Sequence, residues 1–284
     1  VSFDFQARRR YIDRIMAALC AGAALLAFIP LASLLIYVTS QGLSRFDWAF
    51  FTHLPAPVGE SGGGMGNAII GTLTLVFLAS LVGIPVGLFA GIYLAEYGKQ
   101  GKFAWLVRFT ADILSGVPSI VTGIVAYQLV VKNMGHFSAY AGGIALGFMM
   151  IPMVTRTTEE LVKMIPLSIR ESSLALGVPQ WKTILQVVVA TARNGILTGV
   201  LLSLARVAGE TAPLLFTAFN NQYWAGSPNQ PTASLTVQVF TYAISPFDDW
   251  HAQAWTGALV LLLIVLSINL TARLVFKNSS QMLR

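Results

Sequence analysis

Residues 67–94 read NAIIGTLTLVFLASLVGIPVGLFAGIYL, an apolar stretch without one charged side chain. A helix needs about 20 such residues to cross the hydrocarbon of a bilayer, so this stretch suffices for a span. Five further runs of the same character lie at about 15–39, 110–132, 139–161, 194–219 and 253–275. The 284 residues are 55% hydrophobic and 11% charged, and mean hydropathy is +0.69. Soluble domains carry about 25% charge. An all-α, polytopic membrane protein with six transmembrane helices is therefore predicted.

The net charge of +6 does not point to nucleic acid, because the basic residues fall in short groups between apolar runs and form no basic face. Placed on six spans, Arg8, Arg9, Arg10, Arg14, Lys99, Lys102, Arg108, Arg156, Lys163, Arg170, Lys182, Arg193, Arg273, Lys277 and Arg284 share one side, while Arg45 and Lys132 fall opposite. Loops rich in Lys and Arg stay in the cytoplasm, so both termini are expected there. This gives a cytoplasmic arm over 1–14, a first helix over 15–39 and an external loop over 40–66. A membrane core over 67–275 follows, with an internal loop at 156–193 and an external one at 220–252, then a tail over 276–284. The first run follows a basic cluster like a secretory signal, but it is too long for one and lacks a cleavage site, so it is read as retained.

Pro85, Pro118, Pro152 and Pro213 lie within spans, where each removes a backbone donor and favours a kink. Glycines recur at four-residue spacing at Gly83, Gly87 and Gly91, at Gly143 and Gly147, and at Gly195 and Gly199. Such spacing lets helices approach closely in lipid. The outer segment over 220–252 carries Tyr223, Trp224, Phe240, Tyr242, Phe247 and Trp250 without Lys or Arg, and a short amphipathic helix is expected near Ser234–Ala243. Two readings of its aromatics stand: interfacial anchors, or a dock for an external partner.

The internal loop is the most informative segment. Ser168, Ile169, Arg170, Glu171 has the form of a capping box, with the serine at a helix start. The helix runs through Ser172, Ser173, Leu174, Ala175 and Leu176 to Gly177, a natural left-handed C′ residue, and Pro179 permits a new helix with Trp181 near its head. Gly177 to Thr183 is no phosphate loop, because Trp181 stands where the second glycine belongs. ATP, if it is the energy source, must be used by another polypeptide.

Within the fifth run, Arg206 and Glu210 are one helical turn apart on the same face. Ionisable groups in hydrocarbon face a bundle interior or an aqueous path; a salt bridge that fixes packing is the alternative. Arg156 marks either the inner end of a path or a positive-inside anchor paired with Glu159 or Glu160. Asp112 shares that ambiguity and is not counted as a substrate residue. His53, His136 and His251 are scattered, which gives no metal set; Cys20 is alone in an apolar run, and no nucleophile with its base is evident, so no catalytic residue is assigned.

Four stretches then carry a resemblance: GIYLAEYG at 91–98, GVPSIV at 116–121, RTTEE at 156–160 and GETAPLLFT at 209–217. With Gly62 to Thr72 and Ser245, Pro246, Phe247, they make nearly the whole chain resemble the permease subunits of phosphate ABC importers. The resemblance implies the type I ABC importer permease (MetI-like) fold. Glu171, Ser172, Ser173, three residues and Gly177 look like that family's EAA loop, with serine in place of both alanines. Thr236 stands where the family has proline.

By this resemblance, Ser168, Arg170, Glu171, Ser172, Ser173, Leu174, Ala175, Gly177 and Trp181 form a coupling element for a cytoplasmic ATPase. Arg206, Glu210 and Arg156 lie on the substrate pathway. A guanidinium suits a tetrahedral oxyanion because its planar donors hold two oxygens at once. The expected partners are a homologous second permease (PstC-like), an ATPase dimer (PstB-like) holding ATP and magnesium, an external phosphate-binding protein (PstS-like) and membrane lipid. The chain itself is expected to hold no cofactor and to catalyse no bond change. Rival readings are a permease for molybdate or sulfate, an ATPase-independent secondary transporter, and a membrane scaffold or sensor.

Overall fold

The computed structural model describes residues 2–98 and 101–281, with side chains over 8–98 and 101–271. Lys99, Arg284 and the side chains of Arg273 and Lys277 lie outside the described residues. Among them no strand forms, and a single bridge joins Pro55 to Gly63. The helices are α1 (Ser2–Gly42), α2 (Trp48–Thr52), α3 (Gly66–Glu96), α4 (Lys102–Gly116), α5 (Ser119–Met134), α6 (Ala139–Lys163), α7 (Leu167–Ala175), α8 (Gln180–Ala208), α9 (Ala212–Thr217), α10 (Leu235–Ala243) and α11 (Asp248–Gln281). Of these α1, α3, α6, α8 and α11 are long and apolar enough to cross a membrane.

The third run departs from expectation. Instead of one helix over 110–132, α4 and α5 meet at a bend of 108°. Val117 is extended between them (φ −71°, ψ 129°), because Pro118 disfavours helical backbone at the residue before it and supplies no amide donor. Gly135, at φ 77°, turns the chain back after α5, and Ser138 Oγ caps α6 by accepting from the Ala141 amide at 3.1 Å.

The core is built on α3 and α6. A Cβ added to Gly83, Gly87 or Gly91 would lie 2.6–2.7 Å from Met150, Val154 or Thr158. In the outer half the roles reverse, and Gly142 and Gly143 receive Leu75 and Leu78. Each contact pairs a residue of α3 with one roughly 65–67 positions later, so the two helices run parallel. Two parallel spans require one crossing between them, which the bent pair must supply. At about 1.5 Å per residue, α5 is ~24 Å long, most of the hydrocarbon thickness. With the bent pair counted as one span, the described residues hold up to six candidate crossings.

The fifth span also shifts. The helix starts at Gln180, after Pro179, and not near 194; Lys182 and Arg193 interrupt the apolar pattern in its first turns and hide its start. Thr183–Val189 is wound as π helix. It ends at Ala208 with Gly209 as C-cap, and α9 follows with Pro213 in its first turn. Gly195 and Gly199 seat Leu161 and Thr157 of α6.

At the start of α3 and α11 a second core collects Phe50, Met65, Leu235, Tyr242 and Trp250. Ser234 caps α10. Tyr242 stacks on Trp250 with centroids 4.3 Å apart and both are buried, so these two aromatics are neither membrane anchors nor a dock. Tyr223, Trp224 and Phe240 stay exposed. Arg45 pairs with Asp249, tying the end of α1 to the start of α11.

The glycine contacts make a signed prediction. Gly22 of α1 has nothing within 4 Å of an added Cβ, whereas Gly87 meets Val154. Gly22→Ala should raise thermal stability by up to about 1 kcal/mol through helix propensity. Gly87→Ala should lower it by about 1–3 kcal/mol through overpacking. Unfolding of the purified protein in detergent checks both signs.

Candidate functional site

Arg206 sits in the last turn of α8, and Glu210 lies beyond its Gly209 C-cap. The pair therefore brackets a helix end and does not share one face of a continuous span, as the sequence suggested. The Gly209 break sets the carboxylate back, and Arg206 Nε stands 4.0 Å from Glu210 Oε1, the outer limit of an ion pair. The Arg206 side chain is 63% exposed and Glu210 19%. Thr236 donates to the Glu210 carbonyl at 3.0 Å, so the threonine found in place of proline holds the backbone that carries the carboxylate. The result is a loosely held guanidinium with its donors open, beside a carboxylate whose backbone is anchored. Such a group accepts an oxyanion without breaking a strong pair first.

A second charged cluster surrounds the C-terminal end of α6. Glu159 is buried, with its side chain 2% exposed. Arg108 Nε reaches its Oε1 at 2.7 Å, Lys163 Nζ the same oxygen at 2.6 Å, and Arg156 Nη1 reaches Oε2 at 3.2 Å. Arg156 also donates from Nε to Asp112 at 2.9 Å. Arg108 Nη2 donates to the carbonyls of Leu94 and Gly98, at and just beyond the end of α3. Three cations thus face two carboxylates, leaving this end net positive. Arg156 was read as path or anchor; here it is tied to Asp112 on α4 and to Glu159, with its side chain 31% exposed.

In the sequence Glu159 stood only as one of two possible partners of Arg156, and Arg108 only as one of the positive-inside charges; their meeting was not foreseen. Spacing on α6 puts 156, 159 and 163 on one face, a signal present in the chain, but the approach of α4 that brings Arg108 depends on the bend at Pro118. Removing a buried charge's partner leaves the other charge stranded.

The loop after α6 also needs correcting in one place. The helix begins at Leu167 with Pro166 as N-cap, so Ser168 lies inside the first turn and makes no cap. Proline, with its fixed φ, starts the helix ahead of the serine. Gly177 adopts φ 78°, and Pro179 starts α8 with Trp181 in its first turn. Ser168, Glu171, Ser172, Leu174, Ala175, Gly177 and Trp181 are exposed. Ser173 is buried against Thr183, Oγ to Oγ1 2.9 Å, and Arg170 turns inward to Glu96. These two residues therefore face the bundle, and the rest of the set forms an open face that also shows Leu167 and Leu176.

Glu159→Gln should destabilise the protein by about 1–3 kcal/mol, because it takes the shared buried carboxylate from the part-buried Arg108 and from Arg156 and Lys163. Glu160→Gln, on a residue without a pair to Arg108, should change stability by less than about 0.5 kcal/mol. Thermal or denaturant unfolding in detergent distinguishes them.

Residues 83–282 match the family described as binding-protein-dependent transport system inner membrane component. A Yersinia pestis protein named phosphate transport system permease protein PstA is 44% identical over 271 residues, covering 95% of this chain and 92% of that one. A Xylella fastidiosa protein of the same name is 46% identical over 267 residues, covering 94% and 93%. Mycobacterium tuberculosis PstA 1 is 36% identical over 278 residues, covering 94% and 90%. Among solved structures, an inward-facing form of the MetNI methionine ABC transporter superposes with a TM-score of 0.60, covering 75% of this chain and 92% of that one. At 17% identity that likeness carries the fold alone, the MetI-type permease fold. The chain thus belongs to the binding-protein-dependent transport system inner membrane components, the multi-pass, non-enzymatic membrane subunits of ABC importers.

Proposed function

We propose that this chain is a permease subunit of an ATP-driven importer that carries inorganic phosphate across the cytoplasmic membrane. The observation that carries the reading is the identity of 44–46% over nearly the full length with permeases named for phosphate transport. The site chemistry agrees with it: Arg206 presents planar guanidinium donors that match two oxygens of a tetrahedral anion. Glu210 sits close enough to compete for the guanidinium when the path is empty. Weak, exchangeable binding is what conduction requires. Arg156, shared between Asp112 and Glu159, is a second station nearer the inner end. The alternative cargoes, molybdate and sulfate, find no support among the relatives' names.

The positive-inside rule puts the net-positive cluster around Glu159 and the α7 loop in the cytoplasm. There the exposed Leu167, Leu174, Leu176 and Trp181 offer an apolar face to an ATPase dimer. A homologous second permease completes the path, and an external phosphate-binding protein delivers the anion. ATP and magnesium belong to the ATPase. Their effect on this chain is confined to what differential docking on the α7 loop transmits.

Two measurements on the reconstituted complex test this. Arg206→Gln should cut phosphate uptake by at least about tenfold, the loss of one charge-assisted contact, while assembly stays normal; undiminished uptake contradicts the reading. Gly177→Val forces a β-branched side chain into left-handed backbone at a cost of about 1–2 kcal/mol. It should weaken copurification of the ATPase, and full retention would show that the loop is not the docking element.

A further inference from the structure

We propose that Glu96 is a positioning residue of the transport cycle: through Arg170 it fixes the coupling helix α7 to the inner end of α3, so that both move as one body. The proposal rests on the ATP-driven reading above and adds the route by which motion enters the bundle.

Glu96 is the last residue of α3. Its carboxylate receives Arg170 Nη2 at 2.7 Å and Nε at 3.0 Å, with the second oxygen 3.3 Å from Nε. Both side chains are largely buried, 9% exposed for Glu96 and 15% for Arg170. The other donors of Arg170 close onto the last carbonyls of α6 and the turn after it: Val162 at 2.8 Å, Ile165, and Pro166 at 3.4 Å. A cation at a helix C-terminus is favourable there. One guanidinium therefore clamps three elements, α7, α6 and α3.

The two other ties of α7 do not reach α3. Chain continuity joins it to α6, and Ser173 bonds Thr183 at the head of α8. Among the described residues, the Arg170–Glu96 pair is the one side-chain hydrogen-bonded link from α7 to α3. A bidentate pair shielded from water is short and directional, unlike the screened pairs of a surface. It joins α7 to the helix whose glycines seat α6 along its length. A push on α7 is thus delivered to α3 and α6 together.

The test uses the complete complex in proteoliposomes and measures phosphate moved per ATP hydrolysed. ATP-dependent uptake by the unsubstituted complex tests the functional reading by itself. Given that uptake, Glu96→Gln should lower the ratio about tenfold, within the usual range of coupling energies, while ATP hydrolysis persists. Glu96→Asp, which keeps the charge, should recover part of it. Nitroxide labels at Phe89→Cys on α3 and at the half-buried Ile169→Cys on α7, with Cys20→Ser, should keep one separation with and without ATP. In Glu96→Gln that separation should change between the two states. An unaltered ratio in Glu96→Gln, or uptake and hydrolysis falling in parallel, would overturn the proposal. So would a separation that shifts with ATP in the unsubstituted pair.

Discussion

The close parallel contact of α3 and α6 is the constraint on which the rest depends. Lipid gives helices no hydrophobic drive to associate, so packing and internal polar contacts must hold them. Gly83, Gly87 and Gly91 let Met150, Val154 and Thr158 sit against the α3 backbone. That registers the two inner ends with each other. The carbonyls of Leu94 and Gly98 then lie within reach of Arg108, which also meets Glu159. Glu96 lies within reach of Arg170. The inner charge cluster and the seat of the coupling helix are thus consequences of a glycine stripe.

The two charged sites differ in the way their chemistry demands. Around Glu159 three cations engage both oxygens of one buried carboxylate, as expected of a structural network. Arg206 is the opposite: exposed, loosely paired, and placed where a helix stops at Gly209. A transported anion must be held and released, and the open donors of Arg206 suit both. The fold supplies rigidity at one end and availability at the other.

Much of the fold was legible in the sequence because bilayer burial imposes long apolar runs, and those depend on local composition alone. The runs at 67–94 and 139–161 are helices over 66–96 and 139–163, and Gly177 is left-handed where a helix stop was read. Other features were hidden because they depend on partners distant in sequence. Pro118 announced a kink, but nothing local gave its 108° angle, nor the approach of Arg108 to Glu159 that follows from it. Lys182 and Arg193 obscured the head of α8, and Ser168 mimicked a cap that Pro166 had pre-empted. Arg206 and Glu210 were found from their rarity in an apolar run, yet the break between them needed the backbone. Arg170 and Ser173 were grouped with an outward-facing loop, and their inward orientation depends on Glu96 and Thr183.

The central claim is that this bundle passes phosphate when an ATPase acts on its inner loop. Uptake of radiolabelled phosphate into vesicles holding the complete complex and its external binding protein, with ATP on the cytoplasmic face, tests it most directly. The account predicts accumulation that requires ATP hydrolysis and resists excess sulfate and molybdate. Accumulation independent of ATP, or abolished equally by those oxyanions, would contradict it.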